Sequence, residues 1–354
     1  MGRIRFILIV VASAVLALIP AALGGGSVTT VVVHSVALQG NLLGDTPDRA
    51  VTVYLPPGYD DTTARYPVLY LLHGYGQEST YWVDRGLART LDKLLASGAV
   101  QPLIVVTPDA YNRYGGSFYA DSPVTGHWDA FVSRELVSYV DANYRTLARP
   151  ESRAIAGYGM GGYGALILAL EHPDTYRAVY AMSAVDIDLT GELKGTTLPA
   201  TAFTSALQML SLGIVPTSGL GASQLARAAA LSPNVDSPPT YADLPYELVD
   251  GVPQRVDAVW QRWEAHSPLA MLERYGPNLA RFQGIGFDVG AFDSDADCVT
   301  GARALSAALT RAGIDHRYEE YGGDPYYQLP SRMGSIVLPF LSDHVEGEAA
   351  VTDE

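Results

Sequence analysis

Short continuous apolar runs alternate along the chain with stretches of helical period. YPVLYLL (66–72) and PLIVVT (102–107) are apolar almost throughout, the pattern of strands buried on both faces. Residues 29–36 and 50–55 also read as strands, the second closed by Pro56-Pro57-Gly58, and together they predict an antiparallel opening to a sheet. Residues 86–95 and 129–144 have helical period. The rhythm continues with strands at 176–183, 283–289 and 316–321 and helices at 300–312 and 335–344. Such alternation predicts an α/β fold around a mostly parallel sheet. Residues 185–260 break the pattern. They are rich in Pro, Gly, Ser and Thr, with helical pieces at 202–212 and 223–231, and predict a lid-like insertion near 185–265.

One stretch, RAIAGYGMGGYGALILAL (153–170), joins a short apolar run, a glycine cluster and a helical apolar pattern. It predicts a strand, a very tight turn and a helix. Two known turns fit. One is the nucleophile elbow G-x-S-x-G, in which a serine sits on a strained strand-to-helix turn. The other is the dinucleotide fingerprint G-x-G-x-x-G, matched literally by Gly157, Gly159 and Gly162, with Asp186 placed where a ribose-binding acid would fall. The second reading is opposed by its position, deep in the chain after several strands.

Composition narrows the function classes. With 48% hydrophobic and 17% charged residues among 354, the chain can bury a large core. A net charge of −15 argues against a nucleic-acid partner, which requires a basic footprint. At the N-terminus, Arg3 and Arg5 precede an apolar run and a small-residue exit, so residues 1–26 read as a cleaved export signal, or else an uncleaved anchor. Any membrane contact is expected only through that segment, and the expected location is secreted or cell-envelope. The single cysteine, Cys298, cannot form an internal disulfide. Residues 27–345 are expected to form one domain and 346–354 an acidic tail.

The ordered motifs VYLPPGYD (53–60), YPVLYLLHGYG (66–76), SFYADSPVTGHWDAFVSRELVSYVDANYRT (117–146), GYGMGGYGAL (157–166) and HPDTYRAVYAMSA (172–184) resemble one esterase family of α/β-hydrolases. That family includes esterase D (S-formylglutathione hydrolase), feruloyl esterases and mycobacterial mycolyltransferase antigens. The likeness covers roughly residues 51–341. It implies an α/β-hydrolase fold with helices on both sheet faces, an ester-hydrolase or acyl-transfer ancestry, no cofactor, and a triad in the chain order Ser, Asp, His.

Mapped residue by residue, the resemblance puts the family's nucleophile at Gly159, which has no side chain to form an acyl-enzyme. The acid position falls on Asp293, with Asp288 as alternate. The histidine position, after Tyr321-Gly322-Gly323, is held by Asp324, which has no imidazole to shuttle a proton near neutral pH. His316 and His344 lie nearby in sequence but on a strand and a helix. The oxyanion donors would be the backbone amides of Met160 and of Tyr75 or Gly76, with His73 shaping the turn. Tyr158, Trp128 and Tyr119, with Trp82, Tyr111 and Tyr114, are candidates for a pocket mouth, or else ordinary packing. Asp293, Asp295 and Asp297 begin like a calcium loop, but Cys298 and Ala304 stand where it needs Gly and Glu, so no metal site is expected.

Two triad positions, far apart in sequence, have changed. The expectation is therefore a non-hydrolytic or strongly impaired pseudoenzyme with a retained pocket for a small ester, acyl or glycan ligand. The alternative is an active carboxylic-ester hydrolase or acyltransferase using another group, such as Ser117, Ser122, Tyr158 or a water activated by Asp293 and Asp324. Nucleotide binding through Gly157, Gly159 and Gly162 is the remote third reading.

Overall fold

A computed structural model of the chain describes residues 24–189, 204, 207–210, 212–214, 219–294 and 296–348. Residues 1–23 of the predicted export segment and most of the acidic tail lie outside these residues, as do Asp295 and part of the helical piece at 202–212.

Eight strands form one sheet: β1 (Ser27–His34), β2 (Asp48–Leu55), β3 (Val68–Leu72), β4 (Ile104–Pro108), β5 (Arg153–Tyr158), β6 (Ala178–Met182), β7 (Gly284–Gly290) and β8 (Arg317–Tyr321). Their spatial order is β1-β2-β4-β3-β5-β6-β7-β8. β1 pairs antiparallel with β2, and β2 with β4; every later pair is parallel. The central strands β3, β4 and β6 are buried at every position, which is why they lack polar alternation.

Two apolar layers flank the sheet. On one face, α1 (Leu87–Ser97) and the C-terminal helix pack on Tyr54, Leu71, Tyr180 and Met182. On the other, helix α2 runs through Trp128–Ala130, a π-helical turn Phe131–Glu135 and Leu136–Asn143, beside the buried helix α3 (Met160–Glu171). Helix α3 is apolar all round, as a helix enclosed between sheet and neighbours must be.

Between β6 and β7 the described chain forms α4 (Gly219–Leu231), a two-stranded ribbon (Tyr246–Val249 and Val252–Arg255), α5 (Asp257–Ala265) and α6 (Pro268–Leu279). After α7 (Ala296–Arg311) and β8 comes the last helix, α8, built from Pro325–Arg332, a π-helical turn Met333–Val337 and Leu338–Asp343. It starts ten residues earlier than the apolar period predicts. Asp324 caps it, its carboxylate accepting from the Tyr326 N–H at 2.8 Å, and Pro325 occupies the first turn, where its missing N–H costs nothing.

Candidate active site

The turn from β5 into α3 is built by glycines with different jobs. A Cβ on Gly157 would lie 2.2 Å from the Gly161 carbonyl oxygen, and one on Gly161 would lie 2.5 Å from the Leu72 oxygen. These two positions let strand, turn and helix touch. Gly159 differs. Its φ of 58° and ψ of −115° are strained for a side-chain-bearing residue, yet a Cβ there would meet nothing within 4 Å. Its N–H donates to Met182 O at 3.0 Å, and its carbonyl accepts from the Tyr163 N–H at 3.0 Å. The backbone is thus that of a nucleophile elbow, pointing no side chain into free space.

The turn after β3 packs directly on this elbow. A Cβ on Gly74 would be 3.2 Å from the Tyr158 carbonyl oxygen. The Gly74 N–H donates to Gln77 Oε1 at 2.7 Å, and the Gly76 N–H is taken by Gly115 O at 2.8 Å. Gly76 is therefore engaged in the turn, which leaves Tyr75 as the oxyanion candidate. Among the described residues neither the Tyr75 nor the Met160 amide donates to protein. Their side chains converge at Gly116, where a Cβ would fall 2.5 Å from Met160 Sδ and 3.0 Å from the Tyr75 ring. Burial pushes the Tyr75 phenol up to about 12, and its hydroxyl donates to Tyr114 O at 2.6 Å.

His73 holds this turn from beneath. Its Nδ1–H donates to Gly74 O and its Nε2 accepts from the Ala110 N–H, each at 2.8 Å, which fixes a neutral tautomer. Burial pushes its pKa down to about 4, so it works as a structural brace.

Asp293 and Asp324 lie on adjoining turns at the ends of β7 and β8. The Phe292 N–H donates to Gly323 O at 3.2 Å and the Ala291 N–H to Tyr321 O at 2.8 Å, knitting the two turns together. Both carboxylates act on the Tyr158 phenol, whose pKa is raised first by burial, then by Asp293 and, more weakly, by Asp324. Gly159, Asp293 and Asp324 thus follow the C-terminal ends of β5, β7 and β8, on one edge of the sheet. Cys298 is buried on α7, and its Sγ lies 3.9 Å from Ser183 O.

Several other sequence candidates have structural duties instead. Asp288 sits within β7, accepting from Tyr180 Oη at 3.0 Å and Arg332 Nε at 2.8 Å, so it is a buried ion-pair partner and not the triad acid. His344 fills the space against Gly284, and His316 stacks on Phe287 and bonds Ser306; both lie towards the opposite, N-terminal strand ends. Ser122 Oγ donates to Ala229 O, and Ser117 Oγ accepts from the Tyr119 N–H. Asp186 pairs with Arg227 at 2.8 Å, so the G-x-G-x-x-G reading loses its ribose-binding acid.

The aromatic candidates divide. Tyr158 is half-buried at the elbow. Trp128 is buried under Arg49, with its indole N–H on Thr125 O, and Tyr119 is buried with its hydroxyl on His73 O. Trp82 and Tyr114 are buried too, while Tyr111 is exposed. Trp128 and Tyr119 are therefore packing residues and not a pocket mouth at the elbow. Sequence reasoning missed the Arg227–Asp186 pair and the grouping of Asp129 with the adjacent Glu171 and His172, because each brings together segments about forty residues apart.

The sheet order and the glycine-built strand–turn–helix define an α/β-hydrolase. Comparison with known proteins makes this specific. The family profile described as "Putative esterase" matches residues 46–328, most of the chain. The chain belongs to that family. It is 36% identical over 131 residues to an esterase of Mycobacterium tuberculosis, a match covering 34% of this chain and 26% of that protein. It is 35% identical over 140 residues to an endo-1,4-β-xylanase/feruloyl esterase of Xylanibacter ruminicola, covering 36% of this chain and 18% of that one. The matched stretch is thus about a quarter or less of these relatives' length. Among solved structures, a ferulic acid esterase superposes with a TM-score of 0.62 at 23% identity, covering 91% of this chain and 99% of its own. The S-formylglutathione hydrolase of Staphylococcus aureus gives 0.58 at 15% identity, covering 90% of this chain and 100% of its own. These structural likenesses concern the fold.

Proposed function

We propose that this esterase-family protein is exported and binds a small ester, acyl or glycan ligand at the elbow without hydrolysing it. The observation that carries this reading is Gly159: elbow backbone, open space ahead of it, and no nucleophile. Asp324 supports it, because a helix-capping carboxylate stands where the family has its base. Loss of the serine alone in a serine hydrolase lowers kcat by about 10⁶. Tyr75 and Met160 amides remain as donors to an ester carbonyl, and Tyr158 flanks the position. Two structural neighbours, a feruloyl esterase module bound to sinapinate and a ferulic acid esterase bound to ferulic acid, favour an aromatic acyl group as the first ligand to try. The leader at residues 1–26 and the lid role of 185–265 are part of the same proposal.

The test is hydrolysis of p-nitrophenyl acetate and of methyl ferulate by the purified protein and by a Gly159→Ser, Asp324→His double variant. The unaltered protein is expected to show no turnover above background, and the variant to show some. Removing the Asp324 cap costs about 0.5–2 kcal/mol, so the variant's folding is checked by circular dichroism. Turnover by the unaltered protein, with labelling by a fluorophosphonate, would overturn the reading in favour of an active esterase with another nucleophile.

A further inference from the structure

Roughly 18 Å from the elbow, at the other end of α3, lies a second cluster of chemistry-bearing groups. Asp129 of α2, Glu171 at the last position of α3 and His172 just beyond it bring ligand atoms within 4.8 Å of one another. His172 Nε2 is 2.6 Å from Asp129 Oδ2, and Ser133 Oγ donates to Asp129 Oδ1 at 3.1 Å. Asp121 faces the same group. Its Oδ1 accepts from the Asp129 N–H at 2.9 Å, and its Oδ2 is 3.6 Å from Nδ1 of the exposed His127.

We propose that this cluster is a binding site for a divalent first-row metal ion of the Mn²⁺ or Zn²⁺ type, held by Asp129, Glu171 and His172. Three observations converge on it. The donor set combines two carboxylates and an imidazole, which suits such ions better than an all-oxygen cage would. Two donors each about 2.1 Å from one ion lie at most about 4.2 Å apart, so the present spacing needs only small side-chain shifts. The cluster also opens onto a cavity of about 190 Å³ lined by Tyr119, Asp121, Asp129, Tyr163, Glu171 and His266. That space gives an ion a way in and holds the waters that complete its coordination.

The electrostatics ask for a cation here. Asp121, Asp129 and Glu171 face one another across the C-terminus of α3, the negative end of the helix dipole. A metal ion would take the place of the hydrogen bond between His172 and Asp129. Asp129 and Glu171 are far apart in sequence, so their spacing follows no metal motif.

The experiment uses the full protein, stripped with EDTA and titrated calorimetrically with Mn²⁺, Zn²⁺ and Ca²⁺, with melting temperature as a second readout. The expected result is one Mn²⁺ or Zn²⁺ per chain, and a melting temperature that rises with metal. Glu171→Gln and Asp129→Asn should each weaken binding at least about tenfold. In EDTA, Glu171→Gln should melt no lower than the unaltered protein, because it removes a repelling charge. A control at the exposed Asp257 should bind as the unaltered protein does. Absence of saturable binding, or equal affinity in Glu171→Gln and the unaltered protein, would overturn the proposal. So would a preference for Ca²⁺ over both other ions.

Discussion

At Gly159 the backbone conformation and the free space around it can be separated by mutation. Gly159→Ala places a Cβ in open space but at φ 58°, so its cost is that of local strain, about 1–3 kcal/mol. Gly157→Ala and Gly161→Ala drive a Cβ to 2.2 Å and 2.5 Å from backbone oxygens that cannot move without displacing α3 or β3. They should cost more, above about 3 kcal/mol, or prevent folding. Urea unfolding of the three variants orders them. His73 supplies a pH-dependent counterpart. Its folded pKa is about 4, below the usual 6.5 of a histidine. The folded chain therefore binds fewer protons than the unfolded chain between those values, and stability falls as pH drops from 6.5 towards 4. The His73 share of that loss is on the order of 3 kcal/mol. Comparison with His73→Gln by chemical denaturation at pH 7 and pH 4.5 should show a shallower acid slope in the variant. The glycine substitution at 159 was readable from the motif, whereas the protonation state of His73 depended on which carbonyl and amide closed around it.

Element boundaries show why some signals were legible and others were not. Strands β3, β4 and β6 were visible because burial on both faces leaves no polar position to confuse the pattern. Helix α8 starts ten residues before the apolar period does, because its first turns carry Pro325, a favoured helix start, and the exposed Pro330 in place of an apolar stripe. The ribbon between α4 and α5 turns on Asp250-Gly251, a hairpin signal masked by a stretch otherwise read as irregular. Asp288 was weighed as the triad acid, and its place within β7 makes it instead the joint of β7, β6 and α8 through Tyr180 and Arg332. Glu319 of β8 also bonds Arg332, at 3.0 Å. Arg332→Ala leaves the fully buried Asp288 carboxylate uncompensated and should cost about 3–5 kcal/mol. The Arg332→Met, Asp288→Asn double change, which removes both charges, should cost less than that single change in the same denaturation assay.

Across the whole molecule, a net charge of −15 works against compaction. Screening this repulsion should raise the melting temperature between about 20 mM and about 500 mM NaCl, unless surface ion pairs such as Arg303–Glu320 outweigh it. A flat or falling curve would show that local pairing dominates the net charge. The sequence alone determined the α/β class, the elbow, the family and the absence of a serine at position 159, because each depends on residues adjacent in the chain or on an apolar period. Tertiary structure decided which aspartate lies near the elbow and which is an ion-pair partner, that Trp128 and Tyr119 are packing residues, and that Asp129 meets Glu171 and His172. These are contacts between segments tens of residues apart, and their geometry is set by sheet order and helix packing, which no local pattern encodes.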